Sequence, residues 1–465
     1  MKLTEKAVKN ALDKAENKIN ICWDILIDIK EFRTKKTNLG ANIVEFQEKL
    51  AETIFDLHLI RDQIISEEKR IIINRSNYNR NWFLSKVRLL SKFKEGIDFI
   101  VNTIKALGDA FVYFFYQNDI DLLSKHYNHQ RVINNTADIG IRGELEFIRN
   151  VKHVDGKFTL YHGITNCLRY GDFSFVDLEK FRVEWIGELK TKKTDDKSIE
   201  LQLTILERNS YRKTDNFSKK DTAIYEKDKR KRQVLEIAKF LTKEESLPED
   251  NMDLVNATYI NELNDLFAQT KINKTTYKKI SSGLLICCTR ISKKSFAKKI
   301  FERTDREKNP VKDASEGILQ EVSGIIKESS NNNGIIIGSL LYDKDFNEKN
   351  SPGLPPIFWY PLDKKLLKGL YLHSCFIINM FNPAFIFDEI YGLGYKIESN
   401  YLKNSVMTYG PFLREISSFD IFISNILNHL FTENYAVDIM TSIIKSELWK
   451  KNSKISLRHK LHFDF

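Results

Sequence analysis

Two carboxylates and one amine lie at the ends of two neighbouring hydrophobic runs. Asp172 opens the run from Phe173 to Leu178, and Glu188 and Lys190 close the run from Phe181 to Lys190. Carboxylate oxygens are ligands that Mg²⁺ prefers, usually one or two of them together with water and phosphate oxygens. These residue types therefore point to a divalent-metal site, provided that the two runs bring the side chains together.

Both runs are predicted β-strands, and an antiparallel hairpin would join their charged ends. If the chain turns between Leu178 and Arg182 with these two residues opposed, counting outward places Asp172 opposite Glu188. Directly opposed residues share a face of the sheet, with Cβ atoms about 4.5–5.5 Å apart. The two-residue alternation of a strand puts Lys190 on the same face. Like charges so placed repel, and a divalent cation between them removes the repulsion.

The register of this hairpin decides whether Asp172 and Glu188 lie on the same face of the sheet. A loop with an even number of residues shifts the pairing by one position and sends Asp172 and Glu188 to opposite faces. The turn contains neither Gly nor Asn, so its type does not follow from the sequence. The alternative is a half-buried hairpin whose charges are solvated.

The elements around these residues resemble those of a known family. A short predicted helix from Arg142 to Val151 contains Gly143-Glu144, a strand from Phe158 to His162 follows, and the Gly-Asp and Glu-x-Lys strands come next. This order is similar to that of the PD-(D/E)XK nucleases, which share a restriction-endonuclease-like fold. The resemblance covers about residues 140–205. It implies an α+β fold with a mixed-sheet core.

The resemblance implies a role for each matching residue. Asp172, Glu188 and Lys190 take the places of the family's Asp, Glu and Lys. Glu144 matches a helix glutamate that often joins the metal site, and Glu146 is the competing candidate. Gln202, on a helix expected after the lysine, matches a glutamine that is common in one subset of the family.

The chemistry implied by the resemblance uses Mg²⁺ or Mn²⁺ as cofactor. Metal bound by Asp172, Glu188, the Leu189 carbonyl and Glu144 would polarise the scissile phosphate and lower the pKa of a bound water. Lys190 would orient that water or stabilise charge that develops on the phosphate. Both effects favour hydrolysis of a phosphodiester.

The sequence departs from the family pattern at two places. Gly171 stands where the family has Pro, and the charged segment after Lys190 delays the next core strand to about Gly283. Residues 190–232 hold fourteen Lys and Arg against eight Asp and Glu. Such a tract can neutralise backbone phosphates and makes binding salt dependent. The alternative for this tract is a solvated charged helix or loop.

The elements that precede the hairpin are predicted helices. The first 130 residues of the 465-residue chain contain no Pro and three Gly, which permits long uninterrupted helices. Apolar residues recur at three- and four-residue spacing over Thr4–Phe32, Leu39–Arg70 and Asn79–Tyr116. We expect residues 1–133 to form a helical bundle or hairpin domain that contacts a second copy of the chain or a partner protein.

The remaining chain predicts two further regions. Residues 134–345 are expected to form the nuclease-like core with a charged helical insertion, and Gly283–Ile291 and Gly334–Tyr342 are further predicted strands. Residues 346–465 are expected to be mostly helical, beginning with a helix over Lys364–Met380.

Composition excludes some functional classes and favours others only weakly. The chain carries 73 Lys and Arg against 63 Asp and Glu, a net charge of +10. Five cysteines without paired spacing argue against a disulfide framework and favour a reduced cytoplasm. The uncharged run Gly369–Phe387 contains Asn382-Pro383, so we expect a buried helix and a turn there, with no membrane contact. No phosphate-binding loop, nucleophile elbow or kinase signature occurs.

Several residues that could do chemistry have simpler structural interpretations. We expect His126 and His129 to lie at an exposed helix end, and His162 to be a core or hydrogen-bonded residue. Cys287 and Cys288 lie within a predicted buried strand.

The sequence as a whole predicts a metal-dependent endonuclease of the PD-(D/E)XK type that acts on DNA. A large accessory architecture around a small nuclease core resembles bacterial restriction or anti-phage defence effectors. The alternative is a non-catalytic component that keeps the fold and binds nucleic acid or protein. A third possibility is a helical scaffold whose charge reflects composition alone.

Overall fold

The computed structural model describes residues 4–31, 36–127, 139–194, 199–207, 250–251, 254–301, 310–328, 335–340, 355–394, 396–400, 404–409, 412–416, 419–445 and 459–460. Contacts divide the chain into two compact units, one of residues 1–246, 294–303 and 463–465 and one of residues 247–293 and 304–462. The N-terminal helices and the first sheet belong to the same unit. The finer division into residues 1–133, 134–345 and 346–465 stays a prediction, and the basic segment 208–249 lies outside the described residues.

Helices dominate the N-terminal part of the first unit. They are α1 (Glu5–Lys30), α2 (Lys36–Ile73), α3 (Arg80–Tyr116), α4 (Ile120–Tyr127) and α5 (Ile139–Asn150), with a short helix at Phe296–Phe301. The three long helices confirm the sequence prediction and pack on one another. Thr4 caps α1 because its hydroxyl accepts a hydrogen bond from the Ala7 N–H. Between α1 and α2, Lys18 Nζ lies 2.9 Å from Glu52 Oε2.

A five-stranded sheet follows the helices. Its strands are β1 (His153–Val154), β2 (Lys157–Tyr161), β3 (Phe173–Asp177), β4 (Arg182–Lys193) and β5 (Ile199–Glu207). They lie in chain order and every neighbouring pair is antiparallel. The expectation of a mixed sheet is therefore wrong for these strands, because each connection is shorter than the crossover of a dozen or more residues that a parallel pair needs. The first turn, Asp155-Gly156, has two positive φ angles, as a two-residue hairpin of this composition requires.

Helices cover both faces of this sheet. On one face, the Phe147 ring of α5 lies 4.7 Å from that of Phe173. On the other face, the Phe115 ring of α3 stacks on Phe158 at 5.7 Å. Because side chains alternate along a strand, residues that neighbour each other in sequence lie under different helices. This alternation decides which helix can reach each candidate residue.

The connection after β4 corrects two expectations. Ile199–Glu207 forms strand β5, which pairs with β4 over its whole length. Gln202 therefore lies on a strand, so its expected place on a helix is wrong. The next strand of the sheet follows β4 within a few residues, and Gly283 belongs to the second unit. Because Lys193 pairs with Ile199, the connection between β4 and β5 is too short to contain the expected helix.

The second unit contains a four-stranded sheet in which Cys375–Phe381 is a central strand. The sheet order is Lys274–Lys279, Leu284–Arg290, Cys375–Phe381 and Ile336–Ser339, all antiparallel. The predicted helix over Lys364–Met380 is wrong beyond Tyr371, where the helix Lys364–Tyr371 ends. The residues Lys396–Asn400, Asn404–Tyr409 and Phe412–Ile416 form a further antiparallel sheet. The described part of the C-terminal region therefore contains strands as well as helices.

The expected burial of Cys287 and Cys288 is met in the described part of the chain. No helix there combines the length and the apolar character needed to cross a bilayer. Cys287 and Cys288 are buried in the strand Leu284–Arg290, as expected, and all five cysteines are free thiols. The run Gly369–Phe387 contains the core strand Cys375–Phe381, and its apolar side chains pack within the four-stranded sheet of the second unit.

His58 is a buried titratable group in the helical part of the first unit. Its side chain is buried, and its Nδ1 atom has no hydrogen-bond partner in the described structure. Burial lowers the pKa of His58 to about 4, and the positive charges of Lys105 and Arg61 add to this effect. Asp62 and Asp98 oppose it.

We predict that His58 makes the stability of the protein depend on pH between 6.5 and 4. Because its pKa is lower in the folded state than the ordinary 6.5, the unfolded chain binds more protons in this window. The free energy of unfolding is therefore highest above pH 6.5 and decreases by about 3 kcal/mol as the pH falls through this window. Urea denaturation across the window should show a flatter profile for His58→Leu. His153→Leu, at an exposed position, should keep the wild-type slope, and equal slopes in all three proteins would contradict the prediction.

Candidate functional site

The β3–β4 hairpin has the register that the candidate site needs. Phe173 lies opposite Gly187. The next position outward therefore sets Asp172 against Glu188, as the sequence predicted. Lys190 follows on the face of Glu188 because side chains alternate along β4.

The turn of this hairpin differs from the expected one, and a bulge compensates for the difference. Arg182 pairs with Asp177 and not with Leu178, so the loop holds four residues. An even loop by itself would have separated the two carboxylates. Glu184 is an additional unpaired residue of β4, which shifts the register back by one position.

Asp172 lies one residue before β3, and three hydrogen bonds fix it. Its N–H donates to the Gly187 carbonyl at 2.8 Å, and its carbonyl accepts from the His162 N–H at 3.0 Å. Its Oδ2 accepts from the Leu189 N–H at 2.7 Å. The carboxylate therefore lies against the backbone of the Glu-x-Lys segment.

Gly171 is required where the family has Pro. Its φ is +67°, a conformation that proline, with φ fixed near −65°, cannot adopt. A Cβ atom at this position would lie 2.6 Å from Ile186 Cγ2 and 2.7 Å from the Gly187 carbonyl oxygen. Only glycine lets the chain approach β4 closely enough for the Asp172 carboxylate to meet the Leu189 N–H.

Glu188 and Lys190 form an ion pair at the centre of the candidate site. Lys190 Nζ lies 2.6 Å from Glu188 Oε1. The Glu188 side chain is 5% exposed, whereas that of Lys190 is 41% exposed. Across the β4–β5 ladder, Thr204 lies opposite Glu188 and Gln202 lies opposite Lys190. Gln202 is thus a cross-strand neighbour of the lysine, although the predicted helix is absent.

Glu144 lies on the other side of the sheet from Glu188. Its Oε2 accepts a hydrogen bond from Tyr161 Oη at 2.7 Å. Tyr161 pairs with Phe173, which pairs with Gly187, so these side chains face α5 and the Glu188 side chain faces α3. The competing candidate, Glu146, pairs with Arg149 Nη1 at 3.0 Å.

The loop that carries Gly171-Asp172 is anchored to α3. The buried Asp109 carboxylate accepts hydrogen bonds from the Asn166 N–H at 2.7 Å, the Cys167 N–H at 3.0 Å and Asn166 Nδ2 at 3.1 Å. Burial raises the pKa of Asp109, and these hydrogen bonds oppose the rise. Gly108 lets the helix approach the loop, since a Cβ atom there would overlap the Ile164 carbonyl.

A chain of four buried polar side chains holds the same loop at its other end. His126 Nδ1 accepts from the N–H groups of Arg169 and Tyr170, both at 3.1 Å. His126 Nε2 lies 3.3 Å from Tyr116 Oη, which lies 2.6 Å from Ser174 Oγ.

The chain continues from Ser174 back to the loop. Ser174 Oγ lies 2.6 Å from His162 Nε2, and His162 Nδ1 lies 3.1 Å from the Gly171 carbonyl oxygen. The chain therefore starts and ends on the backbone of residues 169–171, immediately before Asp172.

The partners assign a direction to each hydrogen bond in this chain. Because backbone N–H groups can only donate, His126 Nδ1 is an acceptor, and its proton is on Nε2 and points to Tyr116. Because a carbonyl can only accept, His162 carries a proton on Nδ1, and in the neutral ring Nε2 then accepts from Ser174. Tyr116 then donates to Ser174. Both imidazoles are neutral in this arrangement, and all four side chains are satisfied in a buried environment.

These contacts test the predictions made for the histidines. His162 is buried and hydrogen-bonded, as expected. His126 is fully buried, so its expected position at an exposed helix end is wrong. His129 lies outside the described residues. Sequence reasoning did not find Tyr116 and Ser174, because neither stands in a motif and only the packing of α3 on β3 joins them.

The donor set at the hairpin end suits a hard divalent cation. Asp172, Glu188 and the Leu189 carbonyl offer oxygen atoms only, and Mg²⁺ needs no more than one or two carboxylates from a protein. Lys190 offsets one of the two negative charges. Within the described ranges, no group of three or more His, Cys, Asp and Glu side chains is arranged to hold a metal ion. Glu144 is the predicted metal ligand whose carboxylate is held on the opposite face.

Comparison with family models, with curated proteins and with solved structures finds no match to this chain.

We predict that Gly171→Ala destabilises the first unit more than Gly156→Ala does. Both glycines have positive φ, which costs a residue with a side chain about 1–2 kcal/mol. At Gly156 nothing lies within 4 Å of an added Cβ, whereas at Gly171 the added atom meets Ile186 and the Gly187 carbonyl. Overpacking should add about 1–3 kcal/mol to the loss for Gly171→Ala, measured by urea denaturation. Equal losses for the two variants would show that the chain does not approach β4 this closely.

Proposed function

We propose that this protein is a metal-dependent nuclease and that the β3–β4 hairpin carries its active site. The observation that supports this most directly is the 2.7 Å hydrogen bond from the Leu189 N–H to Asp172 Oδ2. It holds one carboxylate beside the strand that supplies a second carboxylate and an amine. Helix α5 is followed along the chain by the strands β2, β3 and β4. The resemblance to PD-(D/E)XK nucleases was based on this order of elements.

Asp172 and Glu188, with the Leu189 carbonyl, would hold Mg²⁺ or Mn²⁺. When bound, the ion supplies Lewis-acid activation of a phosphate oxygen and of a water molecule. The burial of Glu188 supports this assignment, because a buried carboxylate is stabilised by nearby positive charge, which a bound cation would supply together with Lys190.

Lys190 would contact the substrate phosphate in addition to its ion pair with Glu188. Its side chain is 41% exposed, so a ligand can reach it while its amine bonds Glu188. An amine so placed stabilises negative charge on a phosphate oxygen and donates hydrogen bonds to a nearby water. Gln202, opposite Lys190 on β5, is positioned to contact the same ligand.

We propose DNA as the substrate. The basic excess of the chain favours a polyanionic partner. A role against foreign DNA, a location in the cytoplasm, and contacts to a second copy through the N-terminal helices belong to the same proposal and rest on the sequence alone.

A second candidate function is binding of nucleic acid without cleavage. The observation that favours it is the Lys190–Glu188 ion pair, which commits the amine to a carboxylate. In this case the hairpin would be a structural remnant of a nuclease site. The two functions differ in whether Asp172 and Lys190 are needed for hydrolysis.

The proposal is tested by incubating the full chain with supercoiled and linear DNA and Mg²⁺ or Mn²⁺. We predict that wild type cleaves DNA and that Asp172→Asn and Lys190→Met lower the rate about 10²-fold or more, since each removes a group that acts on the reacting phosphate. Lys180→Met is the matched control, because Lys180 is exposed at the turn of the same hairpin and pairs only with a nearby Asp177 in the described structure.

A second measurement separates metal binding from catalysis. Mn²⁺ should raise the unfolding temperature of wild type and of Lys180→Met, and not that of Asp172→Asn, because a ligand stabilises only the form that binds it. Equal cleavage by all variants would overturn the site assignment. Retained DNA binding by a wild type that does not cleave would favour the second candidate.

A further inference from the structure

The end of the α2–α3 hairpin is an exposed basic projection, which we name the helical tip and define as residues 69–94. Helix α2 ends at Ile73, a short turn covers Arg75–Asn77, and α3 begins at Arg80. No residue from 72 to 89 is buried, whereas both flanking residues, Ile71 and Leu90, are fully buried. The helical tip thus extends beyond the packed part of the first unit.

The helical tip has an unusual charge composition. It contains eight Lys and Arg and no Asp or Glu: Lys69, Arg70, Arg75, Arg80, Lys86, Arg88, Lys92 and Lys94. About one residue in seven is acidic in the whole chain, so a segment of this length with average composition would hold three or four acidic residues. Three carboxylates flank it at its base: Glu67 and Glu68 pair with Arg70 and Lys94, and Glu95 accepts a hydrogen bond from Ser91 Oγ. The other six basic side chains form no ion pair within the described residues.

One face of α3 presents these charges in a regular row. Arg80, Leu84, Arg88 and Lys92 are all exposed and follow one another at four-residue spacing, which keeps them on one side of the helix. The row is about 18 Å long, since each residue advances the helix by about 1.5 Å. Along such a length one strand of DNA presents about five phosphates. The row therefore matches a nucleic-acid backbone in length and in charge.

Aromatic rings accompany the charges. The Tyr78 and Trp82 rings lie 4.5 Å apart, and the Trp82 side chain is 45% exposed. Arg75 lies over the Phe83 ring at 5.4 Å. Exposed aromatic faces beside Arg side chains provide stacking surfaces for nucleic-acid bases.

The distribution of apolar side chains argues against a membrane surface as the partner. Ile72, Ile73 and Leu84 are exposed. Leu84, however, lies between Arg80 and Arg88 on the same row. A helix that lies on a membrane separates an apolar face from a charged one. The mixed row of α3 lacks this separation.

We propose that the helical tip binds the sugar-phosphate backbone of a nucleic acid. Arg80, Arg88 and Lys92 contact phosphates of one backbone, and Trp82 stacks on an accessible base. This function does not require cleavage and is separate from the candidate active site. Trp82 and Tyr116, the residue of α3 that contacts Ser174, are about 51 Å apart along the helix axis. Substitutions in the helical tip therefore leave the β3–β4 hairpin unchanged.

The test measures binding of the full chain to labelled DNA by fluorescence anisotropy, with a chelator present so that no cleavage occurs. Arg80→Glu combined with Arg88→Glu should weaken binding at least 10-fold at moderate salt. The plot of log K against log salt should become less steep, with the magnitude of its negative slope reduced by about 1.8. Each lost phosphate contact contributes about 0.9 to this magnitude for duplex DNA. A duplex and a single strand of equal length are compared, and the contribution of Trp82 should be larger for the single strand.

The matched control is Lys271→Glu combined with Lys278→Glu, which makes the same change in net charge at exposed positions of the second unit. This control should bind DNA within about threefold of wild type. Equal weakening by both double variants, or unchanged binding by the tip variant, would overturn the proposal. Wild-type binding to phosphatidylserine vesicles that the tip variant loses while DNA binding stays unchanged would assign the helical tip to a membrane. Circular dichroism and unfolding temperature check that both variants fold.

Discussion

The hydrogen bond from the Leu189 N–H to Asp172 Oδ2 connects the end of β3 to the middle of the Glu-x-Lys segment, and the candidate site depends on it. Asp172 lies beyond the last paired residue of β3, where a strand no longer fixes the direction of a side chain. The backbone of β4 supplies the partner that holds the carboxylate in place. Gly171 makes this approach possible, because no other residue fits between β3 and Ile186.

The loop before Asp172 is held by buried polar groups that have hydrogen-bond partners. Asp109 holds the loop from α3, and the chain from His126 to His162 holds it from the side of α4 and β3. A buried polar group without a partner costs free energy, so each member of these networks restricts the positions of its neighbours. The loop before Asp172 is therefore fixed at two places by groups that take no part in the proposed chemistry. They are positioning residues.

The sheet separates the candidate residues according to the helix that they face. Glu188 and Lys190 lie on the face covered by α3, whereas Tyr161 holds Glu144 on the face covered by α5. Strand β5 places Gln202 beside Lys190 where the resemblance predicted a helix. The described part of the site thus combines the antiparallel β3–β4 hairpin with a further antiparallel neighbour, β5. The physical cause is the short connection after Lys193, which returns the chain along β4.

The sequence by itself determined the elements that depend on local patterns. The absence of Pro and the three- and four-residue spacing of apolar side chains predicted α1, α2 and α3. The alternation of the two hydrophobic runs predicted β3 and β4. It also predicted that Asp172 would oppose Glu188, although from a turn that does not occur. The four-residue loop and the bulge at Glu184 cancel, and no local pattern in the sequence reports a bulge.

Only the tertiary structure decided the features that depend on contacts between distant segments. The sequence of Cys375–Phe381 is compatible with a helix or with a strand, because a mostly apolar run has no periodicity that distinguishes the two. Pairing with two other strands makes this segment a core strand. His126 lies near the end of α4, but it is buried and not exposed because the loop at Arg169 and Tyr170 covers it. Tyr116 and Ser174 are 58 positions apart and become partners only when α3 packs on β3. Burial and hydrogen-bond partners of this kind arise from the packing of whole elements, which a short stretch of sequence does not encode.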